Sequence, residues 1–344
     1  TEQNRDLDRV NIGLKFTHYN ISGRRDKFKI GYQYGYTREY EGSYSLPYLN
    51  RAQTLGLNLQ YSYSRRREQN YQTINNRQEF YENPDRFIYR KTKIEAGLTY
   101  RKKLYSRHTA RIGYRYEFIA DTIANTLNPL FFGNGLSKQR YFSLSYDFTT
   151  DKRDVKNYPW KGSYLSVRLQ KDGLGYFKER NSFTLWGDYR RFTPLGKNWT
   201  LNTTLGFKYS LVRKRQPFLE NRAIGFSQYG MSGYQFYVVD GLDMFLMRAG
   251  VRRKLLKGNV DLGKLVFIKA FRYIPYRILF AAQIDQGWAN APFDGDRNEL
   301  ANTWLIGASA GLDLVLFYDM VLSARYVHNK LGEGSILIGA SINL

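Results

Sequence analysis

Residues 55–64 read Leu-Gly-Leu-Asn-Leu-Gln-Tyr-Ser-Tyr-Ser. Successive side chains of an extended chain point to opposite faces. Leu55, Leu57, Leu59, Tyr61 and Tyr63 therefore share one face, and Gly56, Asn58, Gln60, Ser62 and Ser64 the other. The split returns in 28–36, where Phe28, Ile30, Tyr32, Tyr34 and Tyr36 oppose Lys29, Gly31, Gln33 and Gly35. In 110–118, Ala110, Ile112, Tyr114, Tyr116 and Phe118 oppose Arg111, Gly113, Arg115 and Glu117. Trp199, Leu201, Leu205, Phe207, Tyr209 and Leu211 likewise oppose Asn202, Thr204, Lys208 and Ser210. At the C-terminal end Ile336, Ile338, Ala340, Ile342 and Leu344 oppose Gly339, Ser341 and Asn343. Period-2 alternation on this scale predicts an all-β chain.

A soluble β-sandwich also alternates, but its strands are usually shorter and its apolar faces meet in one core. Here most segments are long enough to cross a bilayer at a tilt, and the opposite face is small, polar or charged, as a wet lumen requires. The expected fold is a transmembrane antiparallel β-barrel. Fifteen strands are expected, near 9–20, 27–38, 42–48, 54–66, 88–101, 107–120, 138–150, 162–172, 181–193, 198–212, 244–256, 275–288, 303–314, 319–328 and 335–344. Bacterial single-chain barrels have an even number of strands, with long loops outside and short turns in the periplasm. The connections 67–87, 121–137, 213–243 and 289–302 are long, and most of those alternating with them are short. The first visible strand then runs inward from the cell surface, so a sixteen-stranded barrel whose first strand lies upstream is expected. The connection 257–274 breaks the short-turn pattern.

Composition narrows the function classes. The chain has 344 residues, 42% of them hydrophobic, a mean hydropathy of −0.55 and no run of eighteen apolar residues, which excludes a bundle of membrane-spanning helices. Its 30 Tyr, 22 Phe and 5 Trp suit the lipid-facing surface and aromatic girdles of a barrel. It has no cysteine, hence no disulfide or thiolate site, and only three histidines, the scattered His18, His108 and His328; no metal is expected. The net charge of +23 does not gather into one basic face or tail, so nucleic acid is not the expected partner. Two readings remain open, solvated charges on a lumen and rim, or a surface for phosphorylated lipid headgroups. Arg65-Arg66-Arg67, where a strand leaves the membrane, has the same pair of readings: a solvated rim or a lipopolysaccharide phosphate contact. No catalytic triad, paired carboxylates or phosphate-cradling loop is present, so no enzyme activity and no cofactor are expected. No signal-peptide pattern opens the chain, which leads us to expect the numbering of a mature or truncated protein.

Four segments carry a family resemblance. The first is PFLENRAIGFSQYGMSGYQFYVVDG, residues 217–241, with Met231, Ser232, Gly233 and Tyr234 at its centre. The second is DKRDVKNYPWKG, residues 151–162, with Asp151 and Arg153 followed by Tyr158, Pro159 and Gly162. In a tight turn Pro fixes φ and Gly lets the chain re-enter a strand. The third is AQIDQG, residues 282–287, with Asp285 and Gly287, and the fourth the final strands, 311–344. Together they resemble the BamA/TamA family of outer-membrane assembly factors, and the last of them resembles members from Bacteroidota. The terminal Leu344 departs from the aromatic residue usual in proteobacterial relatives. The resemblance implies one barrel domain over 1–344, with no segment similar to a POTRA domain, in a multi-pass protein of the bacterial outer membrane. It implies assembly, insertion or translocation of outer-membrane proteins; the alternative is a degenerate relative serving as a structural or accessory subunit of a larger complex. The implied partners are outer-membrane lipids and lipopolysaccharide, and nascent outer-membrane proteins or partner membrane proteins and lipoproteins. It also implies a weak lateral seam at the last strand, here Ile336, Ile338, Gly339, Ile342 and Leu344.

Relatives carry Val-Arg-Gly-Phe/Tyr in the inward-folded loop, with the arginine paired to acidic residues of the wall. Here Ser232 stands at the arginine position, Asp285 survives, and Gly-Val-Arg-Arg at 250–253 replaces the second acid. A buried charge needs a partner, so Arg252 or Arg253 is expected to neutralise Asp285 while Gly233 and Tyr234 keep the loop inside. Asp285 facing lumen water, and Gly233 as an ordinary turn glycine, are the plainer alternatives.

Overall fold

In a computed structural model, residues 9–177, 180–226, 229–261, 263, 272–293, 297–316 and 320–342 are described. The strands are β1 (Asn11–Tyr19), β2 (Lys27–Gly35), β3 (Thr37–Leu46), β4 (Leu55–Arg66), β5 (Glu68–Ile74), β6 (Arg77–Glu82), β7 (Tyr89–Tyr100), β8 (Ser106–Ile119) and β9 (Lys138–Asp151). They continue as β10 (Gly162–Asp172), β11 (Ser182–Leu195), β12 (Trp199–Ser210), β13 (Arg222–Ile224), β14 (Val239–Asp240), β15 (Asp243–Asp261), β16 (Tyr273–Asn290), β17 (Leu305–Leu316), β18 (Met320–Asn329) and β19 (Gly334–Ile342). Fifteen of them form one sheet in the order β1-β2-β3-β4-β7-β8-β9-β10-β11-β12-β15-β16-β17-β18-β19. Every sheet strand thus lies beside its neighbour in sequence, the up-and-down arrangement that short hairpins enforce. The other four form two small hairpins, β5–β6 and β13–β14, inside the long connections. No helix among the described residues is long and apolar enough to cross a membrane.

Alternation decides which face each residue takes, and the distribution is the reverse of a soluble core. Leu59, Tyr61, Ile94, Leu98, Ile112 and Leu144 are exposed, while Glu117, Asp147, Asp172, Asp285 and Asp313 are buried. An apolar face of this extent open to the surroundings costs free energy in water and is stable against lipid.

Of the connection at 257–274, residues 262 and 264–271 lie outside the described residues, and its two ends are strand. β15 and β16 do not stop where the alternation weakens; they stay paired from Asp243↔Asn290 out to Asp261↔Tyr273. The register shifts between Lys254 and Leu256, and such a bulge flips the facing of later side chains. That shift hides the extension from a period-2 reading.

The chain divides into two compact units. One comprises Thr1–Thr149, Val167–Trp186 and Tyr209–Arg222; the other Thr150–Ser166, Gly187–Lys208 and Ala223–Leu344. The first contains an apolar cluster built by its loops and the adjoining strand ends: Ile88, Tyr89, Ile119, Ile123, Phe131, Phe132 and Phe218. The second contains Tyr158, Leu279, Val315 and Val321, with Trp160 packed against them.

Candidate functional site

Met231-Ser232-Gly233-Tyr234 forms two successive turns, in which the Tyr234 N–H donates to the Met231 carbonyl and the Tyr237 N–H to the Tyr234 carbonyl, each at 3.1 Å. Met231 and Tyr234 are almost fully buried. The segment lies against the polar face of β16, β17 and β18, where glycines make room for it. A Cβ at Gly287 would stand 2.5 Å from the Met231 sulfur, and one at Gly307 would overlap the Ser232 carbonyl oxygen. Gly233 has φ +79°, and a Cβ there would meet Asn329 at 2.8 Å. Gly233 is therefore required twice, by its left-handed backbone and by close approach. Asn329 donates to the Gly233 carbonyl at 2.7 Å, and the Tyr234 hydroxyl to the Ile306 carbonyl at 3.3 Å.

Asp285 holds the centre of this seat, 1% exposed. One carboxylate oxygen accepts the Ser232 backbone N–H at 2.8 Å, and the other accepts Gln283 Nε2 at 2.6 Å. Its basic neighbour is Arg248, with Nε 3.9 Å away, and the Arg248 guanidinium also donates to the Gly230 carbonyl. The expectation that Arg252 or Arg253 neutralises Asp285 is corrected here. Register is the reason: Arg248 stands directly opposite Asp285, whereas Arg252 and Arg253 stand opposite Ala281 and Phe280. Four residues of strand are about 13 Å, beyond the reach of a guanidinium to this carboxylate. Arg253 also falls on the other face, its guanidinium 5.3 Å from the Trp199 ring. The cation beside Asp285 is therefore Arg248 of β15.

Arg252 serves the 151–162 turn instead. Its guanidinium lies 4.1 Å over the Tyr158 ring and donates to the Pro159 carbonyl at 3.1 Å. The Tyr158 hydroxyl donates to Asp313 Oδ2 at 2.6 Å, and Arg325 Nε donates to Asp313 Oδ1 at 3.0 Å. Burial pushes the Tyr158 phenol above its ordinary range against the opposing pull of Arg252, so it stays a donor. Asp151 takes Arg153 in a fork, at 2.9 and 2.8 Å. Gly162 sits at φ +108°, where a Cβ would overlap the Lys152 carbonyl. Asp313, Arg325, Arg248, Gly307 and Asn329 were not singled out from sequence. The readable signal was an aspartate isolated in the apolar run Gly311-Leu-Asp-Leu-Val-Leu316.

The start of the long loop is held in the other unit. Phe218 joins the apolar cluster, and Glu220 pairs with Arg180, which also lies 4.5 Å over the Tyr141 ring. At the last strand, Ile336 is 74% and Ile338 80% exposed, and a Cβ at Gly339 would be 2.9 Å from Ser323 Oγ. Ile342 ends β19, paired with Met320; Leu344 lies outside the described residues. Among the described residues no group of three or more His, Asp or Glu side chains could hold a metal ion.

Comparison with known proteins identifies the fold and the family. The Omp85 superfamily domain matches residues 20–229, more than half of the chain. Among solved structures, BamA from Haemophilus ducreyi lacking POTRA domains 1–3 is similar with a TM-score of 0.63 and 13% identity, over 96% of this chain and 67% of that one. CdiB from Acinetobacter baumannii follows at 0.54 and 14%, over 97% of this chain and 56% of that one. CdiB from Escherichia coli gives 0.55 and 13%, over 96% and 59%. The chain thus spans little more than half the length of the two CdiB chains. At these identities the likeness fixes the fold, an outer-membrane type of β-barrel. No curated protein matches the sequence.

Proposed function

The chain belongs to the Omp85 superfamily, and on that basis we propose that it is an outer-membrane barrel of BamA/TamA type that assists the insertion or translocation of outer-membrane proteins. The observation that carries this reading is the seat of the 217–241 loop. Asp285 accepts the Ser232 N–H, and Gly287 and Gly307 leave space only for a chain lying directly against the sheet. The device is the inward loop of such barrels, kept without its arginine: the loop offers a backbone donor and Arg248 of the wall supplies the charge. A charge-assisted bond to a backbone N–H is among the stronger hydrogen bonds, so the seat does not need a cation in the loop. In the sheet order β19 is an end strand, with β18 as its neighbour. The edge of such a strand can pair with another chain, which suits the addition of strands from a nascent barrel client. The partners on this reading are unfolded outer-membrane proteins and lipids of the outer membrane.

Depletion of the protein, followed by quantification of outer-membrane barrels, tests the reading. A fall across many barrels is expected. Loss of one complex alone would assign the chain an accessory role, and unchanged levels would remove the proposal.

A further inference from the structure

Beyond this role, we propose that the outward ends of β3, β4 and β7 form a binding site for the phosphate groups of a phosphorylated glycolipid in the outer leaflet. The site depends on the outer-membrane barrel reading only for which end of the sheet faces outward. Arg38, Arg65 and Arg90 stand directly opposite one another across three adjacent strands. Like charges placed this way repel, and two successive repulsive pairs need a counter-ion to be favourable. Arg38, Arg65 and Arg67 also converge on one ring, their guanidinium carbons 5.1, 4.5 and 4.9 Å from the centroid of Phe87. Among the described residues none of the three has a carboxylate within ion-pair distance, and the Nε of each is enclosed without a hydrogen-bond partner. Arg38 has one polar contact, donating to the Tyr34 hydroxyl at 3.0 Å.

The polar face of β7 and its neighbour β8 behaves differently. Lys91 pairs with Glu117 at 3.1 Å, Lys93 with Glu95 at 2.7 Å, and Arg115 with Glu95 at 3.3 Å. On β7 and β8 the polar-side cations Lys91, Lys93 and Arg115 are each matched by an acid. The outward row is not, so its missing anion comes from outside the chain.

The rows beneath the arginines identify that anion's carrier. One step down the same face, Tyr32, Tyr40, Tyr63 and Thr92 are aligned opposite one another, with the Tyr32–Tyr40 and Tyr40–Tyr63 ring centroids 5.0 and 6.0 Å apart. A further step down come Ile30, Tyr61 and Ile94, 48%, 45% and 50% exposed. Basic, aromatic and apolar residues thus succeed one another along the strands, matching phosphate, interfacial sugar and acyl chain. Guanidinium is suited to bidentate phosphate recognition. A free anion would use the top row alone; only a lipid uses all three.

The test measures binding of the purified full chain to phosphatidylcholine vesicles carrying bis-phosphorylated lipid A. Arg38→Gln, Arg65→Gln and Arg67→Gln combined should weaken binding about 100-fold, from about fivefold per basic residue near a membrane surface. Wild type should show the same loss on vesicles carrying dephosphorylated lipid A. An equal affinity of wild type and triple variant, or of wild type for the two lipids, overturns the proposal. So does an equal loss in a control with Arg101, Lys102 and Lys103 changed to Gln at the opposite strand ends. Binding of inorganic phosphate as tightly as the vesicles would make this a free-anion site and overturn the lipid assignment. If the triple variant does not fold, Arg65→Gln and Arg67→Gln singly carry the test, each expected to weaken binding and overturning the proposal if neither does. Vesicle binding requires no insertion of client proteins, so this outcome and that of the depletion experiment are independent.

Discussion

Asp285 shows how one carboxylate can be served by different donors at the same place in a fold. Its bonds come from the Ser232 backbone and Gln283, with Arg248 alongside. Arg248→Gln should therefore loosen the loop by about 1–3 kcal/mol, the range for removing one partner of a buried polar group. It should be read as faster proteolysis within 217–241. Ser232→Arg in that background should restore part of the protection, since it returns a cation to the seat from the loop side. Arg253→Gln should leave proteolysis unchanged, because Arg253 faces Trp199 on the other side of the sheet. Gly307→Val is the sharper probe: its side chain would occupy the position of the Ser232 carbonyl. Overpacking of this kind costs about 1–3 kcal/mol, and the loop should be released in the same assay. The family frame, Gly233-Tyr234 with Asp285, was legible in sequence; the identity of the cation was not, because it depends on which residue of β15 lies opposite Asp285.

The 151–162 turn is tied to three strands around the side chain of Tyr158. Tyr158 reaches Asp313 on β17, Arg325 holds the same carboxylate from β18, and Arg252 covers the ring from β15. Tyr158→Phe keeps the ring and its packing but removes the donor, so it should destabilise by about 1–2 kcal/mol. Heat-induced gel mobility shift of the folded chain would register the change, and an unaltered midpoint would argue against the bond. Gly162→Ala should be worse, since its backbone at φ +108° disfavours any side chain and the Lys152 carbonyl blocks the space. The sequence marked Tyr158, Pro159 and Gly162 as a turn from local chemistry alone. The hydrogen-bond partners of Tyr158 and Pro159 lie more than ninety positions later in the chain and carry no local mark beyond an aspartate in an apolar strand.

For the molecule as a whole, the exposed apolar face and the buried polar face make the bilayer a structural requirement. Ile94→Lys in the middle of β7 should lower stability in lipid vesicles by about 2–4 kcal/mol, as for a charge on the lipid side of a barrel. Urea titration of the reconstituted protein checks it, with Lys93→Gln on the polar face as the milder comparison. The alternation that specifies these faces is a property of consecutive residues, and fifteen strands in up-and-down order follow from it with short connections. For that reason the fold class, the fifteen strands of the main sheet, the turn at 151–162 and the family frame of the loop could all be read from the order of residues alone. Strand register, the bulge that extends β15 and β16, and the docking of the 217–241 loop on Gly287 and Gly307 emerged only once the strands were paired in space. So did the row of Arg38, Arg65 and Arg90. Each brings together residues far apart in the chain, and a shift of one residue in any strand pairing would place a different set of side chains opposite one another.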